Sequence, residues 1–292
     1  VSETVRRAIL ALMSVDAAVP AEPDLSRYGP WAVIAGGSEG VGAEFARQLA
    51  GEGVNVVLVA RKPGPLARVA GTCRALGVEV RTLAVDLTDG GVDSVLAATA
   101  DLEVGLLICN AGANTHSTEF LNGDPREFRR VIDLNITATL ALVHHYGRLL
   151  RDRQRGGILL VGSLSEYAGS VRHTVYGGAK AFVRIFGEGL WLELREHGVD
   201  VLTLILGVTR TPAMERVGLN FDTPGMVVSE PADVAREGLA HLAHGPVHVV
   251  SGNEKAVAWR TGPDRARIVL TTHNAMTGLL NREPSADAAR HG

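Results

Sequence analysis

The sequence predicts a single α/β domain built on a parallel sheet of about seven strands with helices on both faces. Three observations carry that expectation. Apolar runs of five to eight residues recur from Trp31 onward, segments of helical length separate them, and no Pro/Ser-rich linker divides Trp31 from Ser251. Runs rich in Val, Leu and Ile without polar alternation suit strands covered on both sides, the condition of a sheet assembled from βαβ units. A chain of 292 residues, 46% hydrophobic with 34 glycines and 21% charge, is composed like a packed enzyme with many tight turns.

Residues 1–30 are read as an N-terminal helical arm. Its stretch "RRAILALMSVDAAVPA" imitates a secretory signal, but Asp16 interrupts the apolar run, and Val5, Ala8, Ile9, Leu12 and Met13 fall at helical spacing. An amphipathic helix lying on the body or its partner is the plainer reading, and peripheral docking on a membrane surface the sharper alternative. The run is too short to span a bilayer, so no transmembrane segment is expected.

The main domain is read over residues 31–251. Its strands are expected at "WAVIA", "NVVLVA", "VEVRTLAV", "GLLICN", "GILLVG", "DVLTLIL" and "VHVVS". Two connecting segments, Pro125 to Arg151 and Tyr176 to His197, are long enough for six-turn helices. Asp124 can cap the first with Pro125 at the favoured first position, and Gly198 stops the second. Residues 212–229 should form a variable lid, whose Met214, Val217, Leu219 and Phe221 point to an apolar pocket. Residues 252–292 form a C-terminal extension, with a terminal helix in "RARIVLTTHNAMTGLLNR" and a polar, disordered tail.

A net charge of −3 and a pI near 6.4 give no general attraction to polyphosphate, and no local basic patch argues for a nucleic-acid partner. Cys73 and Cys109, the only two cysteines, read as reduced thiols of a cytoplasmic protein. His144 and His145 are adjacent, so on a helix they point about 100° apart and do not clasp a metal. Ser165 lacks the G-x-S-x-G elbow of a hydrolase nucleophile.

"WAVIAGGSEGVGAEFARQLA" passes from a strand through a glycine-rich turn into a helix, with Gly36, Gly40 and Gly42 spaced G-x-x-x-G-x-G. Residues without Cβ let the backbone approach a pyrophosphate, and the helix start aims free N–H groups at the anion. After the next strand, where a carboxylate would take the ribose hydroxyls of NAD, the chain reads "LVARK". Ala60 stands at that place and Arg61 and Lys62 follow, so NADP(H) is preferred over NAD(H). Glu39 in the turn is the opposing signal.

In "VYGGAK", Tyr176 and Lys180 are one helical turn apart on one face. A phenol near pKa 10 is a poor base at neutral pH, and an adjacent ammonium favours the phenolate. Gly177 and Gly178 between them are read as room for a flat ligand against the helix.

The glycine turn, "CNAG", "VGSLS" and "VYGGAK" occur in the order and at the distances of one family: over roughly Trp31 to Ser251 the chain resembles the short-chain dehydrogenase/reductases. The resemblance implies a Rossmann-type, doubly wound sheet and carbonyl–alcohol interconversion with a nicotinamide cofactor. Gly36, Gly40 and Gly42, with Ser38 and Val41 of the same turn, match the cofactor-binding loop. Asp86 matches the carboxylate that meets the adenine, with Leu87 beside it, and Asn110, Ala111 and Gly112 match the N-A-G turn. Asn135 matches the asparagine of a water-borne proton relay, Ser163 the serine that holds the substrate oxygen, and Tyr176 the general acid or base. Lys180 matches the residue that lowers the tyrosine pKa and holds the nicotinamide ribose. Gly207, Val208 and Thr211 match the loop that receives the nicotinamide amide.

Three positions depart from the family pattern. Ala35 replaces a threonine, Cys109 replaces the first asparagine of N-N-A-G, and Leu206 replaces a proline, so cofactor affinity and loop rigidity are affected rather than the reacting groups. The expectation is an NADP(H)-dependent oxidoreductase acting on a small-molecule carbonyl or alcohol, hydrophobic and lipid-like or steroid-like, in a homo-oligomer. The alternative is a catalytically idle NADP(H)-binding sensor or scaffold of the same fold.

Overall fold

The computed structural model describes residues 24–223 and 225–280. The expected arm up to residue 23 and the tail from residue 281 lie outside the described residues. Residues 24–30 join the body directly: Leu25 and Tyr28 are buried, and the Tyr28 hydroxyl donates to Asp200 at 2.7 Å.

The predicted strands form as β1 (Trp31–Ala35), β2 (Asn55–Ala60), β3 (Val80–Ala84), β4 (Val104–Cys109), β5 (Gly156–Ser163) and β6 (Val199–Leu206), with Val247–Val249 as the last. All pair in parallel in the order β3-β2-β1-β4-β5-β6 followed by Val247–Val249. The helices between them are α1 (Gly40–Gly51), α2 (Pro63–Ala75), α3 (Gly91–Ala98), α4 (Pro125–Ile132), α5 (Ala138–Arg153) and α6 (Thr174–Leu194). A two-stranded annex that sequence patterning did not reveal, β7 (Val208–Thr209) with β8 (Val228–Ser229), frames the short helix α7 (Pro212–Arg216) in the segment expected to form a lid. Helix α8 (Pro231–Ala240) leads to the last strand, β9 (Val247–Val249). The extension forms α9 (Glu254–Arg260), which was not foreseen, and the expected α10 (Arg265–Leu280).

Both faces of the sheet are covered, as the unbroken apolar runs require. Ala32 and Ile34 pack with Phe45 and Leu49 of α1 and Val234 of α8, while Val33 and Ala35 pack on the other side with Leu142 and Tyr146 of α5 and Val183 of α6. The strand alternation of period two thus feeds two core layers from one strand.

The segment Pro125 to Arg151 is not one uniform helix. Asp124 caps it through Arg126 N–H as expected, but residues Asp133–Thr137 widen into a π-turn between α4 and α5. The cause lies in Asn135, whose side-chain amide donates to Val131 O at 2.9 Å and Ala113 O at 3.1 Å, bonds within the helix and across to the loop after β4. π-turns within helices gather at functional sites. The second long helix ends as predicted, with Gly198 at φ +68°.

Candidate active site

The chain leaves β1 in one direction toward β2 and β3 and later returns on β1's other side as β4, so the crevice where the order reverses opens beyond the carboxyl ends of these two strands. The Gly36 and Asn110 loops meet there. Gly36 has φ +88°, and a Cβ on it would stand 2.8 Å from the Ala111 nitrogen. The Asn110 amide donates to Gly36 O at 2.9 Å, and the Asn110 and Ala111 N–H groups both donate to Ala35 O.

Helix α1 starts at Gly40 with no side-chain cap from Glu39, leaving its first N–H groups for an incoming anion. A Cβ on Gly40 would lie 2.9 Å from the Thr211 methyl, so the turn and the loop after β6 are in contact. Thr211 itself caps α7, its hydroxyl accepting from Met214 N–H at 3.2 Å. Gly207, one residue before β7, rests on the Asn253 side chain. Val41 and Leu87 are buried among the core side chains, so each can offer a dinucleotide only its backbone; Ser38 and Val208 are half-exposed. The uncapped helix start and the Cβ-free cradle fit the pyrophosphate of a dinucleotide.

At the end of β2, Arg61 and Lys62 are exposed, and Arg61 Nη1 stands 4.0 Å from Asp86 Oδ2. Burial alone would raise the Asp86 pKa, but hydrogen bonds from Thr88 and the charges of Arg61 and Arg130 hold it below the usual carboxylate range. Arg130 on α4, 3.6 Å from Asp86, was not among the sequence-based candidates; an arginine on a solvated helix face carries no local signal. Glu39 does not stand free in the turn. It is paired to Arg216 of α7, with Arg216 Nη1 donating at 3.0 Å, and the pairing lowers its pKa.

The four residues expected to do chemistry converge beyond β4 and β5. Ser163 ends β5, Asn135 sits in the π-turn, and Tyr176 and Lys180 share one face of α6. Gly112 is wedged between two of them: a Cβ there would lie 2.7 Å from Asn135 Oδ1 and 2.8 Å from Lys180 Nζ. Asn135 is buried, both its amide bonds are donated to carbonyls, and its Oδ1 accepts nothing from the described residues. Lys180 Nζ donates to Val161 O at 2.8 Å and stands 5.8 Å from the Tyr176 ring centre.

Two expectations about this pair need correction. Burial pushes the Tyr176 pKa up; a hydrogen bond with Ser163 works against burial, and the Glu166 charge adds to it, so Lys180 alone does not make the phenol acidic. The ammonium is itself destabilised, its pKa brought down to about 8 by burial against the favourable charge of Glu166. Nor does Gly177 make room for a flat ligand. A Cβ on Gly177 would sit 3.0 Å from Ser165 O, so this glycine lets α6 close on the turn after β5, and Gly178 faces open space. Cys109, where the family pattern has asparagine, is a buried thiol raised to about 12 by burial, which makes it inert.

The buried Glu166 is a further residue that sequence reasoning missed. Its signal was present: Ser163-Leu-Ser-Glu166 is a capping-box pattern. Arg260 and Arg265 were missed as well. They reach back from the extension to donate to the carbonyls of Leu164 and Tyr167, each at 2.8 Å, and contacts across about 100 residues leave no trace in local pattern.

A parallel sheet with a glycine turn at its switch point is the arrangement of a dinucleotide-binding fold. The sequence pattern described as short chain dehydrogenase matches residues 30–220, and the chain belongs to the short-chain dehydrogenase/reductase family, oxidoreductases that act on CH–OH groups with NAD(P). It is 34% identical over 191 residues to a 7beta-hydroxysteroid dehydrogenase of Collinsella aerofaciens, covering 64% of this chain and 72% of that one. It is 35% identical over 205 residues to a very-long-chain 3-oxoacyl-CoA reductase of Podospora anserina, covering 67% of this chain and 60% of that longer reductase. Among solved structures, one concerned with 7beta-hydroxysteroid dehydrogenase stereoselectivity superposes with a TM-score of 0.78 at 27% identity, covering 85% of this chain and 98% of that chain. A short-chain dehydrogenase from Sphingobium yanoikuyae in complex with NADPH superposes with a TM-score of 0.70 at 29% identity, covering 90% of this chain and all of that one. Among the described residues, no helix is long and apolar enough to cross a membrane.

Proposed function

We propose that the chain interconverts a hydrophobic ketone and its alcohol with NADP(H), using Tyr176 as the proton-transferring group. The observation that carries this reading is the pairing of Tyr176 with Lys180 on one face of α6, with Lys180 Nζ and Asn135 Oδ1 both meeting Gly112, and with Ser163 at the end of β5. Bound nicotinamide supplies or accepts the hydride at its C4. Gly36, Gly40, Gly42, Ser38 and the backbone of Val41 would hold its pyrophosphate, Asp86 and Leu87 its adenine end, and Lys180 with Asn110 to Gly112 its nicotinamide ribose. Gly207, Val208 and Thr211 would hold the amide.

Burial keeps the Tyr176 hydroxyl protonated at neutral pH, the form that can donate a proton to a carbonyl oxygen as negative charge develops there. Ser163, which works against burial at the Tyr176 hydroxyl, would share that oxygen. In the reverse direction the same hydroxyl must lose its proton, and the free Asn135 Oδ1 beside Lys180 offers an acceptor for a water that would carry it away. A hydrophobic substrate is supported by the lid, where Met214 and Val217 are exposed, and by relatives named for a hydroxysteroid and for a very-long-chain 3-oxoacyl-CoA. Phe221 argues less for a pocket, since it packs under the Arg210 guanidinium at 4.6 Å. The direct test is NADPH oxidation, followed by absorbance, with steroid, acyl and aryl ketones. No turnover on any class would end the reading.

The preference for NADP(H) rests on the exposed Arg61 and Lys62 and on the pairing of Glu39 with Arg216, which removes the carboxylate otherwise set to repel a 2′-phosphate. NADPH is expected to raise the melting temperature more than NADH at equal concentration, because stabilisation follows affinity for the native state. Arg61→Ala should narrow that difference. A larger shift with NADH in the parent protein would reverse the assignment.

A homo-oligomer is proposed through the outer faces of α5 and α6. They leave Leu140, Leu149, Phe182, Ile185 and Leu192 exposed, beside a groove of about 760 Å³ lined by Leu140, Val143, Phe186 and Leu190. A second copy applying the same two helices would bury this surface by two-fold symmetry. Ile185→Glu is expected to shift the species seen by light scattering toward the monomer. An unchanged mass would remove this face from consideration.

A further inference from the structure

Glu166 is a carboxylate with no exposed side-chain surface, set three residues past Ser163. Buried acids are rare without partners, and its partners all belong to the catalytic corner. Its Oε2 accepts the Ser163 backbone N–H at 3.2 Å, while the Ser163 hydroxyl oxygen accepts the Ser165 N–H at 3.2 Å. Its Oε1 lies 3.1 Å from Arg184 Nε of α6, close as an ion pair but not aligned as a hydrogen bond, and Arg184 Nη1 donates to Glu188 at 2.6 Å. Gly162 makes the space: a Cβ there would stand 2.8 Å from Oε2. From the opposite side, Arg260 and Arg265 hold the carbonyls of Leu164 and Tyr167, so the whole turn bearing the acid is fastened.

We propose that Glu166 is a positioning residue of the active site: by accepting the Ser163 backbone N–H from its buried, Arg184-paired carboxylate it fixes Ser163 at the end of β5. This deepens the proposed function and rests on the Tyr176 reading. Tyr176, Lys180, Arg184 and Glu188 face it from α6, Tyr167 lies on its own turn, and Cys109 of β4 is a further charge-sensitive group near Lys180. Burial pushes the Glu166 pKa up to about 7, against the Ser163 N–H, Arg184 and Lys180. Charged above about 7, the carboxylate opposes ionisation of Tyr176 and favours the ammonium of Lys180; below about 7 both effects fade.

Glu166→Gln keeps an oxygen for the Ser163 N–H and drops the charge, whereas Glu166→Ala loses both. In the full chain, the Gln variant is expected to retain turnover close to the parent's, with the limb of the kcat/KM profile that reports Tyr176 displaced to lower pH. The Ala variant should lose about tenfold or more in kcat at every pH while NADPH still stabilises it. A tyrosinate absorbance titration, with the signal of Tyr176→Phe subtracted, should show the same displacement in the Gln variant with no substrate present. Superimposable titrations of parent and Gln variant overturn the electrostatic role, and a Gln variant as slow as the Ala variant overturns the backbone role. Absence of turnover in the parent, combined with a displaced tyrosinate titration, would sink the carbonyl–alcohol reading while leaving the coupling of Glu166 to Tyr176 intact.

Discussion

Tyr176→Phe is expected to lower kcat by about 10²-fold or more while leaving NADPH-induced stabilisation near the parent's. The substitution removes one hydroxyl and keeps the ring, so packing on α6 survives and the loss reads the proton transfer. Burial keeps the hydroxyl protonated, the form that can deliver the proton. Lys180 Nζ is committed to Val161 O at 2.8 Å. Turnover within a few-fold of the parent would show that the proton comes from elsewhere. Stopped-flow measurement of a single turnover separates this from a slow release step.

Gly42→Ala is expected to abolish stabilisation by NADPH and to lower intrinsic stability by about 1–3 kcal/mol. A Cβ at this position would overlap the Gly36 carbonyl oxygen and stand 2.6 Å from the Asn110 amide nitrogen and 2.9 Å from the Gly36 carbonyl carbon. These are backbone or hydrogen-bonded groups, so relief must come from opening the turn. Gly51 at the other end of α1 supplies the control: a Cβ there meets nothing within 4 Å, and Gly51→Ala should be neutral or stabilise the protein by up to about 1 kcal/mol through helix propensity alone. Thermal melts with and without NADPH compare the two. Retention of the full NADPH shift in Gly42→Ala would separate the turn from dinucleotide binding.

The inner strands were legible because each is a short run that must bury both faces, and such runs have few other homes. Glycine spacing and the Tyr176–Lys180 interval were legible for a similar reason, since backbone approach and helical period constrain residue type locally. What escaped was set at long range. The π-turn around Asn135 exists because its amide reaches Ala113 O, a demand invisible within "DLNITATL". Gly177 was misread because its neighbour, the Ser165 carbonyl, belongs to another element. The assumption that Lys180 acidifies Tyr176 counted one charge and left out burial and the acid at position 166, both products of packing. Arg216, 177 residues from Glu39, turns a repulsive carboxylate into a paired one, and only the folded chain brings them together.

The guanidinium clasps of Arg260 and Arg265 on the Leu164–Tyr167 backbone give the last two helices leverage over a serine they never touch. Heat, a nick or a ligand that peels those helices away would strip two donors from the ledge supporting Ser163, loosening its aim before the sheet itself yields. Activity should therefore fade ahead of global melting, with the far end of the chain acting as the mooring line of the reaction centre.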